Sequence, residues 1–356
     1  MSGGDGPPGG EGAPVASGDV PPSIGDGNRD LPQSQTDRHA PMIDDGRYLS
    51  AERNQPGGNA DSTDATDKPG EPPEVRDPSF KRLTPNEQER IRLALSTYQD
   101  GTGRATINGH SFPDWKDFEV SVREALEARP PVNADDALDA ITREYGLQLK
   151  FYKQLDEMRQ GGVARVEEFS TGKPFWEMLK AEGITRENYR QHPQEVGRIL
   201  MAYRQSLYEE AARINAEGNL RKEDGSLERY LANSSIILGL YNEQGEYQLY
   251  QYPIERADAN LRWVFSTRQN SEALHGLDSR GNVVSEFKIF DWNPGGGSFH
   301  QYFYRQDAQA HVYEPQTLEP YTGRQAPLIE RVNEYFGNQW KAAGGKPAPS
   351  SSDQSR

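Results

Sequence analysis

LDAITREYGLQLKFY, residues 138–152, decides how the centre of this chain folds. Its second half alternates without a break, Leu147, Leu149 and Phe151 against Gln148, Lys150 and Tyr152. Successive side chains of an extended chain point to opposite faces, so residues two apart share one. The alternation predicts a strand over residues 145–152 with one apolar and one polar face. A shorter strand over 138–141 precedes it and carries Asp139. Gln148 and Lys150 then lie together on the polar face, with an acid on the neighbouring strand.

Working toward the N-terminus, a helix is expected from about Asp114, with Trp115, Phe118, Val122 and Leu126 as its apolar stripe. Glu119, four residues after Trp115, falls at the edge of that stripe. Pro130-Pro131 stops the helix. Upstream, Thr84, Pro85 and Glu87 read as a helix start: an N-cap hydroxyl, a proline in the first turn and a reciprocal acid. Ile91, Ala94, Leu95 and Tyr98 keep helical spacing. The run DGTG at 100–103 ends that helix, and Asn108-Gly109 marks a turn.

Toward the C-terminus, a third strand is expected over 163–169 and a helix over 173–182, ended by Gly183. A long helix over 193–217 buries Val196, Leu200, Tyr203, Leu207, Ala211 and Ile214. After Asn233 the period switches to two. Residues 236–241 and 246–252 form a hairpin, followed by strands near 261–265, 283–290 and 299–304. The pattern predicts an α/β (α+β) protein whose C-terminal half is β-rich and antiparallel.

Composition sets the limits of that domain. Residues 1–78 are dense in Gly, Pro, Ser and Asp and hold 15 acidic against 6 basic residues, a net charge of −9. Such a segment buries too little apolar surface to offset the entropy of ordering, so it is expected to be disordered. The folded domain then spans 79–342, and residues 343–356 form a second polar tail. The remainder of the chain carries a net charge of −6. That balance argues mildly against non-specific nucleic-acid binding, which needs Lys and Arg for phosphates, but allows a local basic cleft. The absence of cysteine excludes thiolate chemistry and fits a reducing compartment. No signal peptide and no membrane-length apolar run are visible, so a cytoplasmic location away from the membrane is expected.

The six histidines are scattered, with no pair at metal-ligand spacing, and read as surface or cap residues. Gly295-Gly296-Gly297 lacks the lysine and helix of a phosphate-binding loop, and there is no GxSxG nucleophile elbow. The constellation that carries chemistry is Glu119, Asp139, Gln148 and Lys150. Hydrolysing a phosphodiester takes a divalent cation held by carboxylates and a group that positions the attacking water. Asp139 and Lys150 supply one of each. The position two before the lysine holds Gln148, whose carbonyl can ligate magnesium but brings no charge. Glu119 can make up the deficit. A rival spacing, Asp278 with Glu286 and Lys288, places its aspartate in an expected hairpin turn.

The runs LTPNEQERIRLALSTYQDGTG, FPDWKDFEVSVREAL, YGLQLKFYKQL, RVEEFSTGKPFWEMLKAEGIT, NYRQHPQEVGRIL and YQLYQYPI resemble bacterial restriction-endonuclease-like proteins of the PD-(D/E)xK nuclease superfamily. The resemblance implies a mixed β-sheet flanked by helices. It makes Asp139 the metal-binding aspartate, Lys150 the catalytic lysine and Glu119 the acid of the first helix. Glu167 becomes a further acid, a ligand or a structural one. Implied with these are a magnesium cofactor, cleavage of double-stranded DNA, a homodimer and a cognate DNA methyltransferase. The alternative is a degenerate nuclease-fold module that binds DNA or a protein without cutting, for which Gln148 is the motive.

Overall fold

The structure is a computed structural model that describes residues 80–348, apart from 100–102, 104, 108–109, 134–135, 217, 256–260, 269–270, 279–286, 306 and 308. The expected N-terminal tail, most of the DGTG run, the Asn108-Gly109 turn, Glu286 and the start of the 283–290 strand lie outside the described residues.

Local sequence sets the first two helices. In α1 (Pro85–Ser96), the Thr84 hydroxyl accepts from the Glu87 N–H while the Glu87 carboxylate accepts from the Thr84 N–H. The short strands β1 (Ala105–Ile107) and β2 (His110–Phe112) pair antiparallel. Then α2 (Trp115–Leu126) repeats the reciprocal cap with Asp114 and Asp117. These bonds satisfy N–H groups that a helix start leaves without partners. Phe118, Val122 and Leu126 are buried as their spacing requires, but Trp115 is 40% exposed, with the Lys116 ammonium over its ring. It sits in the first turn, ahead of the part of α2 that packs.

The remaining elements follow in order. They are β3 (Ala140–Ile141), β4 (Gly146–Tyr152), α3 (Leu155–Arg159), β5 (Val163–Ser170), α4 (Lys173–Ala181), α5 (Pro193–Asn215) and α6 (Ser226–Asn233). After these come β6 (Ser235–Tyr241), β7 (Glu246–Pro253), β8 (Arg262–Arg268), β9 (Ser271–Asp278), β10 (Phe287–Trp292), β11 (Ser298–Tyr304), β12 (His311–Val312), β13 (Gln316–Thr317) and α7 (Leu328–Ala342). The chain is α+β, with a mixed sheet and an antiparallel sheet. Among the described residues no helix is long and apolar enough to cross a membrane.

The mixed sheet runs β12-β7-β6-β4-β3, with β13 also on β7. Its centre is β6, buried along its whole length and parallel to β4. A strand covered on both faces needs no polar alternation, which is why SIILGLY reads as nearly continuous apolar sequence. On one face Leu147, Leu149 and Phe151 of β4 meet Phe118, Val122 and Leu126 of α2, with the Phe118 and Phe151 rings stacked at 4.6 Å. On the other, Ile236, Leu238 and Leu240 of β6 meet Tyr208, Ala211 and Ala212 of α5.

The antiparallel sheet runs β5-β11-β10-β9-β8. Trp263, Leu274, Phe290, Trp292 and Phe299 face Val196, Ile199, Leu200 and Tyr203 of α5. One helix therefore serves both sheets, its first half covering the antiparallel sheet and its second half the mixed one. The β-rich C-terminal half also draws in an earlier strand: β5, expected before it, pairs with β11.

Among the described residues, the helices α3, α6 and α7 and the strands β1, β2, β9, β12 and β13 go beyond the sequence pattern. Asp278 is the last residue of β9, paired with Phe287 of β10, and the rest of the expected turn after it lies outside the described residues. The α7 stripe Leu328, Val332, Phe336 and Trp340 packs on Leu93 and Ala94 of α1 and on Tyr98 just after it. Packing continues past residue 342. Ala343 O accepts from the Arg90 guanidinium, and Lys346 O accepts from the Trp340 indole at 2.7 Å.

Candidate active site

The candidate site grows from the β3–β4 pairing. Ala140 stands opposite Leu147, and the ladder continues one residue beyond β3. The Asp139 N–H donates to Leu147 O and the Leu149 N–H donates to Asp139 Oδ2, both at 2.7 Å. The aspartate side chain thus takes the place of a backbone carbonyl, fixing it beside Gln148. No described residue donates to Asp139 Oδ1. Expected as part of a strand over 138–141, Asp139 lies just outside the strand, because its own carboxylate does the pairing.

From α2, Glu119 and Arg123 reach the same place from one helical face, one turn apart. Arg123 Nη1 donates to Asp139 O at 3.2 Å and to Glu119 Oε2 at 3.4 Å. Burial, and then the Asp139 charge, push the Glu119 carboxyl from 4.5 up to about 7, against Arg123 and Lys150. Asp139 is also raised, first by burial, with Lys150, the Leu149 N–H and Arg123 opposing. Lys150 is half-buried and makes no hydrogen bond or ion pair among the described residues, yet its charge acts on both acids. Three side chains separated by twenty and eleven positions in sequence share one electrostatic neighbourhood.

A raised acid fixes the sign of the pH dependence. Glu119 binds its proton more tightly folded than unfolded, so its contribution to stability is fully present below about pH 4.5 and is lost as pH rises toward 7. Without added metal, Glu119→Gln is expected to melt higher than the parent at about pH 8, the difference closing near pH 4. Differential scanning fluorimetry across that range measures it. Melting curves that stay parallel at every pH rule out the buried charge as its cause.

The remaining candidates part company. Gln148 is only 3% exposed, and its Oε1 accepts from the Tyr208 hydroxyl of α5 at 2.8 Å. Behind Tyr208 lies a buried ion pair. Arg204 Nε donates to Glu168 Oε2 at 2.7 Å, and its Nη1 donates to Ile254 O. Both side chains are almost wholly buried, at 2% and 0% exposure. Glu167, next along β5, points the other way by the period of two, and its Oε1 accepts from Ser170. Its charge and that of Asp139 both act on Tyr152, whose hydroxyl burial, Glu167 and Asp139 push up to about 12. Among the described residues no three His, Asp or Glu side chains are grouped to hold a metal ion. Glu119 and the Asp139 backbone share Arg123, and the Asp139 charge acts on Glu119; Glu167 is not among the groups that act on either acid.

Arg123, Tyr152, Tyr208, Glu168 and Arg204 escaped sequence reasoning. Arg123 had a signal, its spacing of four from Glu119 with a proline stop soon after. Arg204 had a weaker one, a guanidinium interrupting an apolar helical stripe. His300, expected to be an ordinary surface or cap residue, shares Asp291 with other groups: its Nδ1 meets Asp291 Oδ1 at 2.9 Å, while the Tyr302 hydroxyl donates to Oδ2. Burial opposes the Asp291 charge, but His300, Arg165 and Tyr302 hold it down at about 2. In the rival spacing, Lys288 stands 3.8 Å from Asp291 and over the Tyr302 ring.

Comparison of the chain with protein-family models, with curated proteins and with solved structures finds no match. The reading of function therefore rests on the residues themselves.

Proposed function

We propose that the chain is a magnesium-dependent endonuclease of the restriction-endonuclease type, hydrolysing phosphodiester bonds of double-stranded DNA. The observation that carries this reading is that Glu119, from a helix, and Asp139, from a loop, are tied together by Arg123, while the charge of half-buried Lys150, from a strand, acts on both acids. A mixed sheet with a parallel central pair and helices on both faces agrees with the restriction-endonuclease-like fold that the sequence resembles.

Magnesium fits the donor set. It is usually held by one or two carboxylates together with water and substrate phosphate oxygens, so a pair of acids suffices. Burial holds both acids above their ordinary range, which a bound dication would offset. When bound, magnesium supplies Lewis acidity and an acidified water. Asp139, locked by the Leu149 N–H, offers Oδ1. Glu119 offers its carboxylate, steered by Arg123. Lys150, on the β4 face beside them, orients the attacking water and stabilises charge on the phosphate.

The test is supercoiled plasmid or phage DNA incubated with the purified protein in magnesium and in chelator. Discrete fragments in magnesium alone, absent from a Lys150→Ala preparation, are the expected result. Uncut DNA with folded protein sinks the enzymatic reading. A homodimer and a cognate DNA methyltransferase come with this function; sedimentation in the presence of duplex and protection of methylated DNA check them.

One observation favours the second reading, a nuclease-fold module that binds DNA or protein without cutting. Gln148 stands where a further carboxylate would complete the metal set, and its oxygen is taken by Tyr208. Thermal unfolding separates the two, since a bound metal raises the melting temperature by mass action and a module without a metal site shows no magnesium response.

A further inference from the structure

The amide of Gln148 has a definite orientation, and it is set from outside the site. Tyr208 has one hydroxyl proton and two acceptors near it: Gln148 Oε1 at 2.8 Å and Glu168 Oε2 at 3.4 Å. The second is already taken by Arg204 Nε at 2.7 Å. The nearer and less occupied acceptor receives the proton, so the Gln148 oxygen turns toward α5. Its Nε2 keeps two N–H groups with no partner among the described residues. The backbone bonds between Asp139 and residues 147 and 149 set Gln148 beside the acid, and its place on β4 puts it on the face of Lys150.

We propose that Gln148 is a phosphate-binding residue, donating its amide N–H to a non-bridging oxygen of the substrate phosphodiester. It is not a magnesium ligand, and Tyr208 is the positioning residue that fixes this orientation. The proposal rests on the nuclease reading and deepens it. An amide N–H cannot ligate a cation but is a good donor to an anionic phosphate oxygen. The metal is then left to Asp139 and Glu119, with water and phosphate completing its shell. The buried Glu168–Arg204 pair has a part in this, because it occupies the acceptor that would otherwise draw Tyr208 away from Gln148.

Two affinities measured separately test the proposal. Binding of a random-sequence DNA duplex is followed by fluorescence anisotropy in chelator. Magnesium binding is followed by titrating thermal unfolding without DNA. Gln148→Leu, similar in size, removes the amide, and Tyr208→Phe keeps the ring while releasing it. Both are expected to weaken duplex binding, by about 10- to 100-fold for Gln148→Leu, the value of one hydrogen bond to a charged group. Both are expected to leave the magnesium response of the parent unchanged. Gln148→Glu puts a carboxylate against the phosphate, so it should weaken duplex binding at least as far while enlarging the magnesium response.

A loss in both affinities by one common factor would be merely structural damage, and the proposal falls. A Gln148→Leu protein that loses the magnesium response makes Gln148 a metal ligand and overturns it. Unchanged duplex affinity in Gln148→Leu overturns it too, while leaving the nuclease reading intact. A parent protein with neither duplex affinity nor a magnesium response sinks both.

Discussion

Lys150→Ala is expected to slow magnesium-dependent cleavage by about 10²- to 10⁴-fold, the range for removing a group that positions or transfers a proton. The ammonium has no hydrogen bond or ion pair to lose among the described residues, so the fold should survive its removal. Its charge does act on Glu119 and Asp139, favouring their ionised forms. In the variant both acids hold their protons more tightly, yet a bound dication no longer meets a neighbouring cation. Metal binding should therefore persist at alkaline pH while cleavage is lost. Single-turnover nicking of plasmid, together with the magnesium titration of thermal unfolding, reads the two effects apart. Undiminished nicking would place the active site elsewhere.

The second large effect concerns stability. Arg204→Met leaves the Glu168 carboxylate without the cation that holds it at 0% side-chain exposure. Breaking a buried pair from one side costs about 3–5 kcal/mol, because the remaining charge stays desolvated and unpaired. Ile254 O and Gln301 Oε1 lose a donor as well. For a domain of this size that corresponds to a melting temperature lower by roughly 10 °C. Adding Glu168→Leu to the same chain should recover much of the loss, since replacing both charges with apolar groups is often neutral. A double variant no more stable than Arg204→Met would show that the guanidinium acts through Ile254 and Gln301 instead of through the carboxylate. Urea or thermal unfolding of the four proteins completes the cycle.

Much of the local structure is legible in the sequence. Thr84 with Glu87 and Asp114 with its following apolar stripe mark the starts of α1 and α2, because a cap is made of residues within three positions of each other. The alternation of residues 147–152 set Lys150 and Gln148 on one face of β4 for the same reason: strand geometry has a period of two wherever the strand goes. The α7 stripe was equally open to reading, with Leu328, Val332, Phe336 and Trp340 at intervals of four. It follows a stretch punctuated by Pro320, Gly323 and Pro327, where the period-two pattern of the β-rich half ends. Opposite faces of β5 assigned Glu167 and Glu168 to different surroundings, but nothing in VEEF said which one entered the core.

Other features belong to the tertiary structure. The parallel pairing of β4 with β6 joins segments more than eighty residues apart. The capture of β5 by β11 depends on where a hairpin of the C-terminal half comes to rest. Trp115 stays at the surface because α2 turns its apolar stripe inward only after the first turn. The Gln148 amide takes its direction from Tyr208 on a helix that also has to cover two sheets. Sequence by itself determined what short-range sterics and hydrogen bonding dictate: caps, periods, and the residue types available for chemistry. Which carboxylates act on each other, and which hydroxyl turns the glutamine, was decided only by the packing of distant segments, since these contacts form only once the chain between them has closed and been covered.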